Sequence, residues 1–209
     1  HLLKDLALSV GVNGHVVGLD PSDKQIEAAQ EYCKGLDNVS FNLDSAVKLS
    51  FEDNAFDAVA SIQVLEYIKD VDSALAEISR VIKPGGRLAT VSVLWDHWRF
   101  HGPDPALNDR MHEAFKAHCF HQMLPLEMPK KLERHGFIGA QCTPMGFLNN
   151  SLHHNSFAYL ASTLLTHFAE GQGISKKDTE RWRKELDESE REGRFGFVSV
   201  PVLTTAIAK

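Results

Sequence analysis

The sequence lacks the features of several protein classes. No apolar run approaches the roughly 20 residues that a membrane-spanning helix needs, so no membrane partner is expected. The three cysteines show no C-x-x-C spacing, which favours free thiols and a cytoplasmic location over a disulfide framework. The 22 Lys and Arg against 28 Asp and Glu give a formal charge of −6. This balance argues against nucleic acid as the main partner, because phosphate binding needs a basic face.

Internal repeats and low-complexity segments are absent as well. The 209 residues, 43% of them hydrophobic, suffice for one sizeable core. A single α/β domain is the expectation, since such domains often reach this length undivided.

The stretch between Phe56 and Leu94 carries the clearest pattern. Asp57 to Ile62 is an apolar run without alternation, which predicts a strand buried on both faces. An apolar stripe from Val71 to Ile82 predicts a helix capped by Asp70 or Asp72. Pro84 ends that helix, Gly85 and Gly86 allow a sharp turn, and Arg87 to Leu94 is a second apolar run. Strand, helix and strand predict a βαβ unit in a parallel sheet.

Two earlier strands each end in an aspartate. His15 to Leu19 is followed by Asp20 and then by Pro21, which opens a helix ending near Lys34. Asn38 to Leu43 is followed by Asp44. A carboxylate accepts two donors at once and suits a ligand's hydroxyl or amino groups. The alternatives are a plain helix cap for Asp20 and a turn aspartate that bonds its own backbone for Asp44.

The remainder of the chain predicts a mixture of helices and strands. The strand region Phe195 to Ala208 contains Pro201, which suggests a bulge or an exposed edge. A helix capped by Ser175 is polar almost all round. The other predicted elements are helices at His1–Ser9, Asn108–Phe120, Pro129–His135 and Ser156–Ala169, and a strand at Phe137–Met145.

The block FDAVASIQVLEYIKDVDSALAEISRVIKPGGRLATVSV resembles the fourth-to-fifth-strand block of class I S-adenosylmethionine-dependent methyltransferases, of the type 11/25 kind. The turn Ile82 to Gly86 is one of that family's more specific marks. The resemblance implies a Rossmann-like, doubly wound, mostly parallel sheet with an antiparallel last strand. It also implies helical lid insertions at about 95–126 and 148–168, within one domain that spans 1–209.

The resemblance assigns a cofactor site to the carboxyl ends of the strands. Asp20, with Pro21 beside it, corresponds to the acid that binds both ribose hydroxyls of S-adenosylmethionine. Asp44, followed by Ser45, corresponds to the acid that accepts from the adenine amino group. Ser61 and Gln63 are expected to line the methionine part, a role whose alternative for Gln63 is an exposed loop amide. Glu66 and Tyr67 are expected to start the loop over the pocket rather than take part in chemistry.

Histidines supply the candidate catalytic groups. A neutral His97 or His101, directly after the fifth strand, is placed to act as a general base for an acceptor, although a solvent-facing lid histidine is the alternative for each. No metal site is expected, because zinc wants four N or S ligands and the pairs present are incomplete. Three aromatic residues are expected to wall an apolar substrate or, alternatively, simply to pack under the lid: Trp95, Trp98 and Phe100.

One mark of the family is missing from this sequence. The glycine-rich loop that joins its first strand to its first helix is absent, and His1 to Ala7 resembles the helix that follows that loop. We therefore expect further residues upstream, with an apolar strand that lies between the strands ending at Asp20 and Ile62.

The function implied is methyl transfer from S-adenosylmethionine to a small-molecule O, N or C nucleophile by in-line displacement, driven mainly by positioning. Two alternatives stay open. A nicotinamide-dependent (NAD(P)) oxidoreductase also uses an acid after its second strand. A non-catalytic relative would keep the fold as an interaction module. The acceptor and the oligomeric state do not follow from the sequence.

Overall fold

Helices and strands alternate through most of the chain, as a computed structural model of residues 1–209 describes it. The helices are α1 (Leu2–Val10), α2 (Asp23–Tyr32), α3 (Val71–Val81), α4 (Pro105–Phe115), α5 (Leu124–Arg134), α6 (Phe157–Gly171) and α7 (Lys176–Arg191). The strands are β1 (Val16–Asp20), β2 (Val39–Leu43), β3 (Phe56–Ile62), β4 (Ile82–Val93), β5 (Arg99–His101), β6 (Phe137–Pro144), β7 (Phe147–Asn149), β8 (Gly196–Ser199) and β9 (Pro201–Ala208). None of these helices is both long enough and apolar enough to cross a membrane.

The strands that carry the predicted site belong to two sheets. β1 and β2 pair in parallel, and a second sheet has the order β3-β4-β9-β6. Within it β3 and β4 are parallel, while β9 runs antiparallel to β4 and to β6. The predicted parallel α/β sheet with an antiparallel last strand is therefore confirmed. β1 and β3 are not paired with each other, so each has one edge without a partner strand.

The βαβ block forms as the sequence predicts. Asp70 caps α3 by accepting from the backbone N–H of Ser73 at 3.0 Å. Gly85 adopts φ 77°, a region that favours glycine. A Cβ on Gly86 would lie 2.8 Å from the carbonyl oxygen of Lys83 and 2.9 Å from that of Asp57, so the irregular start of β4, between Ile82 and Arg87, needs glycine there as well.

One prediction for this block is wrong. β3 was expected to be buried on both faces, but Ala58 and Ala60 are exposed and Ile62 is 48% exposed. The opposite face, with Val59, packs against α3 and α5, which cover one side of the sheet only. The residues of this core are Leu65, Val71, Ala74, Leu75, Ile78, Ile82, Leu88, Leu124, Met128, Leu132, Phe137, Ala206 and Ala208.

A small sheet, β5-β8-β7, continues the larger one. Along the chain β5 follows β4, β7 follows β6, and β8 precedes β9. The strand order of the small sheet therefore repeats the order β4-β9-β6 of the larger one. The breaks are bridged by hydrogen bonds from Leu94 N to Val200 O (3.0 Å) and from Met145 N to Pro201 O (2.7 Å). Neither β5 nor β7 was predicted. The small sheet therefore lies beyond the carboxyl end of β4.

A second core, the lid core, forms where α4, α6 and α7 pack around the small sheet. It consists of Val93, Trp98, Phe100, Leu107, Met111, Phe115, Leu152, Ala158, Ala161, Leu165, Ala169, Trp182, Leu186, Phe195 and Phe197. The prediction that α7 is polar almost all round is wrong, since its inner face buries Trp182 and Leu186. α7 also lies outside both predicted lid insertions.

Several predicted boundaries shift. The helix expected at Asn108–Phe120 is α4 followed by a single 3₁₀ turn at Lys116–His118, and α5 begins before Pro129. The exposed-edge alternative for Pro201 is wrong, because β9 lies between two strands. Pro201 is its first residue, where a missing N–H disturbs the ladder least.

Candidate functional site

Asp20 ends β1 at the carboxyl edge of its sheet. Its Oδ1 accepts from the backbone N–H of Ser22 at 2.9 Å, and its Oδ2 has no hydrogen bond in the structure. Ser22, not Asp20, is the N-cap of α2, and Pro21 precedes that cap instead of opening the first turn. The helix-cap alternative for Asp20 is therefore wrong. The Asp20 side chain is partly exposed, and its Oδ2 can accept a hydrogen bond from a ligand.

Asp44 follows β2 at the same edge. Its Oδ1 accepts from the N–H of Ser45 at 2.8 Å and its Oδ2 from the N–H of Ser50 at 2.7 Å. The bond from Ser50 is the main reason that the pKa of Asp44 is lowered. The turn geometry of the alternative reading is present, but each oxygen keeps a second lone pair for a further donor.

The loop that carries Ser45 and Ser50 is tied to α3. Glu77 accepts from the N–H of Leu49 at 2.7 Å, and Arg80 donates to the carbonyl oxygens of Leu49 (3.0 Å) and Phe51 (2.7 Å). Arg80 also forms an ion pair with Glu77 at 2.8 Å. Asp44 is therefore held in place by α3, which belongs to the other sheet's layer.

Ser61 and Gln63 lie at the end of β3. The Ser61 hydroxyl donates to Thr90 Oγ1 at 3.0 Å, across to β4. Gln63 has an exposed side chain, and its backbone N–H donates to Val91 O at 2.7 Å. Its φ of 51° is a left-handed conformation that residues other than glycine rarely adopt and that recurs at ligand sites.

His97 and His101 stand beyond the end of β4. His97 lies in the 3₁₀ turn Trp95–His97, His101 ends β5, and both imidazoles are exposed. Neither ring makes a hydrogen bond within the chain. The structure therefore places both rings where solvent or a ligand reaches them, without a partner that orients them.

The remaining histidines do not converge. His118 Nδ1 donates to Phe115 O at 2.7 Å, and His121 Nε2 donates to Ile68 O at 3.0 Å. No three His, Cys, Asp or Glu side chains gather in a group that could hold a metal ion.

A cavity of about 270 Å³ lies between the turn after β4 and α4. It is lined by Trp95, Asp96, Trp98, Arg99, Asp109, His112, Glu113, Phe115, Lys116 and Gln122. The cations in this wall are paired: Arg99 contacts Asp109, and Lys116 contacts Glu113 at 3.0 Å. The cavity thus offers aromatic faces and a set of balanced charges.

His112 is a polar group of this cavity that sequence reasoning missed. Its Nε2 accepts from the backbone N–H of Phe100 at 3.2 Å, so Nδ1 carries the proton. Burial is the main cause that lowers its pKa to about 3. The ring is therefore neutral at physiological pH and presents a donor. Nothing in the pattern around Met111 distinguishes His112 from a surface histidine.

The residues at the carboxyl edge fit the adenosine half of a nucleoside cofactor. Asp20 and Asp44 are acceptor-only groups on adjacent parallel strands, and each has lone pairs to spare. Hydroxyl and amino groups of such a cofactor are donors, which these carboxylates match.

Known proteins resemble the chain in sequence and in fold. A family model described as "methyltransferase domain" matches residues 1–90. A demethylmenaquinone methyltransferase of Staphylococcus haemolyticus is 40% identical over 83 residues, which is 40% of this chain and 35% of that protein. The chain spans about a third of the length of the curated relatives it matches, with 36%, 29% and 35% of the first three.

Two solved structures share the fold. The YcgJ protein of Bacillus subtilis superposes with a TM-score of 0.62 at 19% identity, covering 93% of this chain and 82% of that one. A geranyl diphosphate C-methyltransferase of Streptomyces coelicolor, solved with S-adenosyl-L-homocysteine, has a TM-score of 0.55 at 16% identity, covering 98% and 66%. At such identities the likeness establishes the fold alone.

Proposed function

We propose that the protein transfers a methyl group from S-adenosylmethionine to a small molecule, on the premise that residues 1–90, which match a family model described as "methyltransferase domain", form part of such a domain. The observation that carries the proposal is the pair Asp20 and Asp44. Two carboxylates end adjacent parallel strands at one edge, and each can still accept from a ligand. This is where ligands bind in open parallel sheets.

Six residues would hold the cofactor. Asp20, with Pro21 beside it, would accept from the ribose hydroxyls, and Asp44 would accept from the adenine amino group, with the Ser45 backbone near the ring. Ser61 and Gln63 would border the methionine part, with the exposed amide of Gln63 as the nearer group, since the Ser61 hydroxyl already donates to Thr90. When bound, S-adenosylmethionine supplies an electrophilic methyl group on a sulfonium.

The acceptor would lie at the cavity beyond β4. Its aromatic walls, Trp95 and Trp98, and the neutral His112 suit a small molecule with an apolar body and a polar end. His97 and His101, exposed beside this region, are the candidate bases for an O or N acceptor. The ranges 95–126 and 148–168, joined by α7, would form the lid. A cytoplasmic location remains a prediction.

Calorimetric titration of the protein, with the residues expected upstream of His1 included, first with S-adenosylhomocysteine and separately with NAD(P)H, tests the proposal. We expect heat from the first ligand and none from the second. Binding of the nicotinamide cofactor alone would favour an oxidoreductase. Binding of neither would leave the fold as an interaction module and refute the cofactor site. An Asp23→Ala control, in the exposed first turn of α2, should titrate like the wild type.

A further inference from the structure

Glu66 carries a buried carboxyl without an opposing charge. The residue lies in the 3₁₀ turn Leu65–Tyr67 just after β3 and is 0% exposed. The charge of Glu66 acts on two ionisable side chains, Tyr67 and Cys119, which are uncharged at neutral pH, with pKa values of about 12 and about 11. Burial raises the pKa of Glu66 itself. Because removing an unpaired acid from water costs free energy, fold stability is a weak explanation for its presence.

The side chain of Glu66 reaches across to the end of β4. Oε2 accepts from the hydroxyl of Ser92 at 2.8 Å, and Oε1 is 3.4 Å from the backbone nitrogen of Val93. Ser92 and Val93 are the last two residues of that strand. The carboxyl therefore joins the turn after β3 to the carboxyl end of β4.

The backbone of the same turn holds the stretch that leads from α4 to α5. The carbonyl oxygen of Glu66 accepts from the N–H groups of Phe120 (3.0 Å) and His121 (3.2 Å). The ring of His121 donates to Ile68 O at 3.0 Å. Three hydrogen bonds thus dock residues 119–122 onto the turn that begins two residues after Gln63.

Trp95 connects this junction to the cavity. Its backbone N–H donates to Gln122 O at 2.8 Å, and its ring lines the cavity. Its indole N–H is buried without a hydrogen-bond partner, and the Trp95 side chain is among the groups that favour the charged form of Glu66. Residues 61–63 at the end of β3 form the cofactor turn. Glu66 therefore lies between this turn and Trp95, a wall of the candidate acceptor cavity.

We propose that Glu66 is a positioning residue that docks residues 119–122 and Trp95 onto the ends of β3 and β4, and so fixes the acceptor cavity relative to the cofactor turn. The functional half of this inference rests on the proposed methyl transfer. Docking itself does not, because it concerns contacts within the chain.

Three variants separate docking from other roles. Glu66→Ala removes both side-chain contacts. Glu66→Gln keeps them, since its amide oxygen accepts from Val93 N–H and its amide N–H donates to the Ser92 hydroxyl. Glu127→Gln, an exposed acid on α5, is the matched control.

Amide hydrogen exchange by NMR measures, without any ligand, how firmly residues 119–122 are held on the turn at Glu66. In Glu66→Ala the N–H groups of Phe120 and His121 should exchange about tenfold faster or more, while those of β9 keep their protection. Glu66→Gln and Glu127→Gln should match the wild type. Unchanged exchange in Glu66→Ala, or a Glu66→Gln variant as loose as Glu66→Ala, would overturn the proposal. If Glu66→Ala does not fold, Ser92→Ala carries the same test, and unchanged exchange at His121 would count against docking.

Steady-state kinetics then tests whether Glu66 fixes the position of the acceptor cavity. Glu66→Ala should raise the acceptor KM about tenfold and change the S-adenosylhomocysteine Kd by less than about threefold. Equal loss of both affinities would overturn a specific link to the acceptor cavity. If the wild-type protein, with the residues expected upstream of His1 included, binds no S-adenosylhomocysteine, the proposed methyl transfer is refuted, and the exchange experiment still decides docking.

Discussion

The backbone N–H of Asp44 donates a hydrogen bond to the carbonyl oxygen of Asp20 at 3.2 Å. This bond extends the parallel β1-β2 ladder by one step beyond the paired residues Asp20 and Leu43. It fixes the two carboxylates at adjacent positions on one edge. A ligand that bridges them is thus received by a preorganised pair, which lowers the entropy cost of binding.

Replacing Asp20 tests the ribose role. Asp20→Ala should weaken S-adenosylhomocysteine binding by about 1.5–3 kcal/mol, because hydrogen bonds to a charged acceptor are lost. That loss corresponds to about ten- to a hundredfold in Kd. Calorimetry measures the affinity, and circular dichroism checks that the variant is folded. An unchanged Kd would remove Asp20 from the site.

The Glu77–Arg80 pair should govern the acid stability of the loop behind Asp44. The Arg80 bond is the main cause that lowers the pKa of Glu77 to about 2 from 4.5. A carboxyl with a lowered folded-state pKa stabilises the fold above its unfolded pKa and loses that effect as pH falls towards the folded value. Urea midpoints of the wild type should therefore drop between pH 4.5 and about 2. Glu77→Gln should be less stable at neutral pH and lose this part of the slope; an identical slope would contradict the assignment.

Much of the first half of the chain could be predicted because its signals are local. The stripe and cap of α3 and the glycines at 85 and 86 lie within 17 residues of Asp70, and each acts on its own neighbours. The burial of Glu66 could not be predicted, because its partners are 26 and 27 residues away along the chain. The open face of β3 was missed for a related reason. An apolar run is compatible with burial on both faces, but it does not show whether another element covers each face.

The two candidate bases make separable predictions. His97→Ala or His101→Ala should lower turnover more than cofactor affinity if that ring accepts the acceptor's proton, and the pH–rate profile should lose its acidic limb. The comparison is kcat against the S-adenosylhomocysteine Kd for each variant. His154→Ala, an exposed histidine before α6, is a matched control and should behave as the wild type. Profiles unchanged in both variants would show that methyl transfer needs neither histidine as base.

Trp182 should contribute most to holding α7 against the lid core. The sequence of this helix is mostly charged, and its buried inner face was not predicted. Its side chain is 0% exposed, and its indole N–H donates to Asn108 Oδ1 at 2.9 Å. Asn108 in turn donates to Phe100 O at 2.9 Å, so the pair ties α7 and α4 to β5.

Trp182→Phe keeps most of the ring but leaves the Asn108 oxygen buried and unpaired, which should cost about 1–3 kcal/mol of unfolding free energy. Trp182→Ala should cost more, about 3–5 kcal/mol, because it also opens a cavity in the lid core. Chemical denaturation measures both. The exposed Arg181→Ala should lie within about 0.5 kcal/mol of the wild type. If Trp182→Phe were as stable as the wild type, the bond to Asn108 would contribute nothing, and packing alone would hold α7 to the lid core.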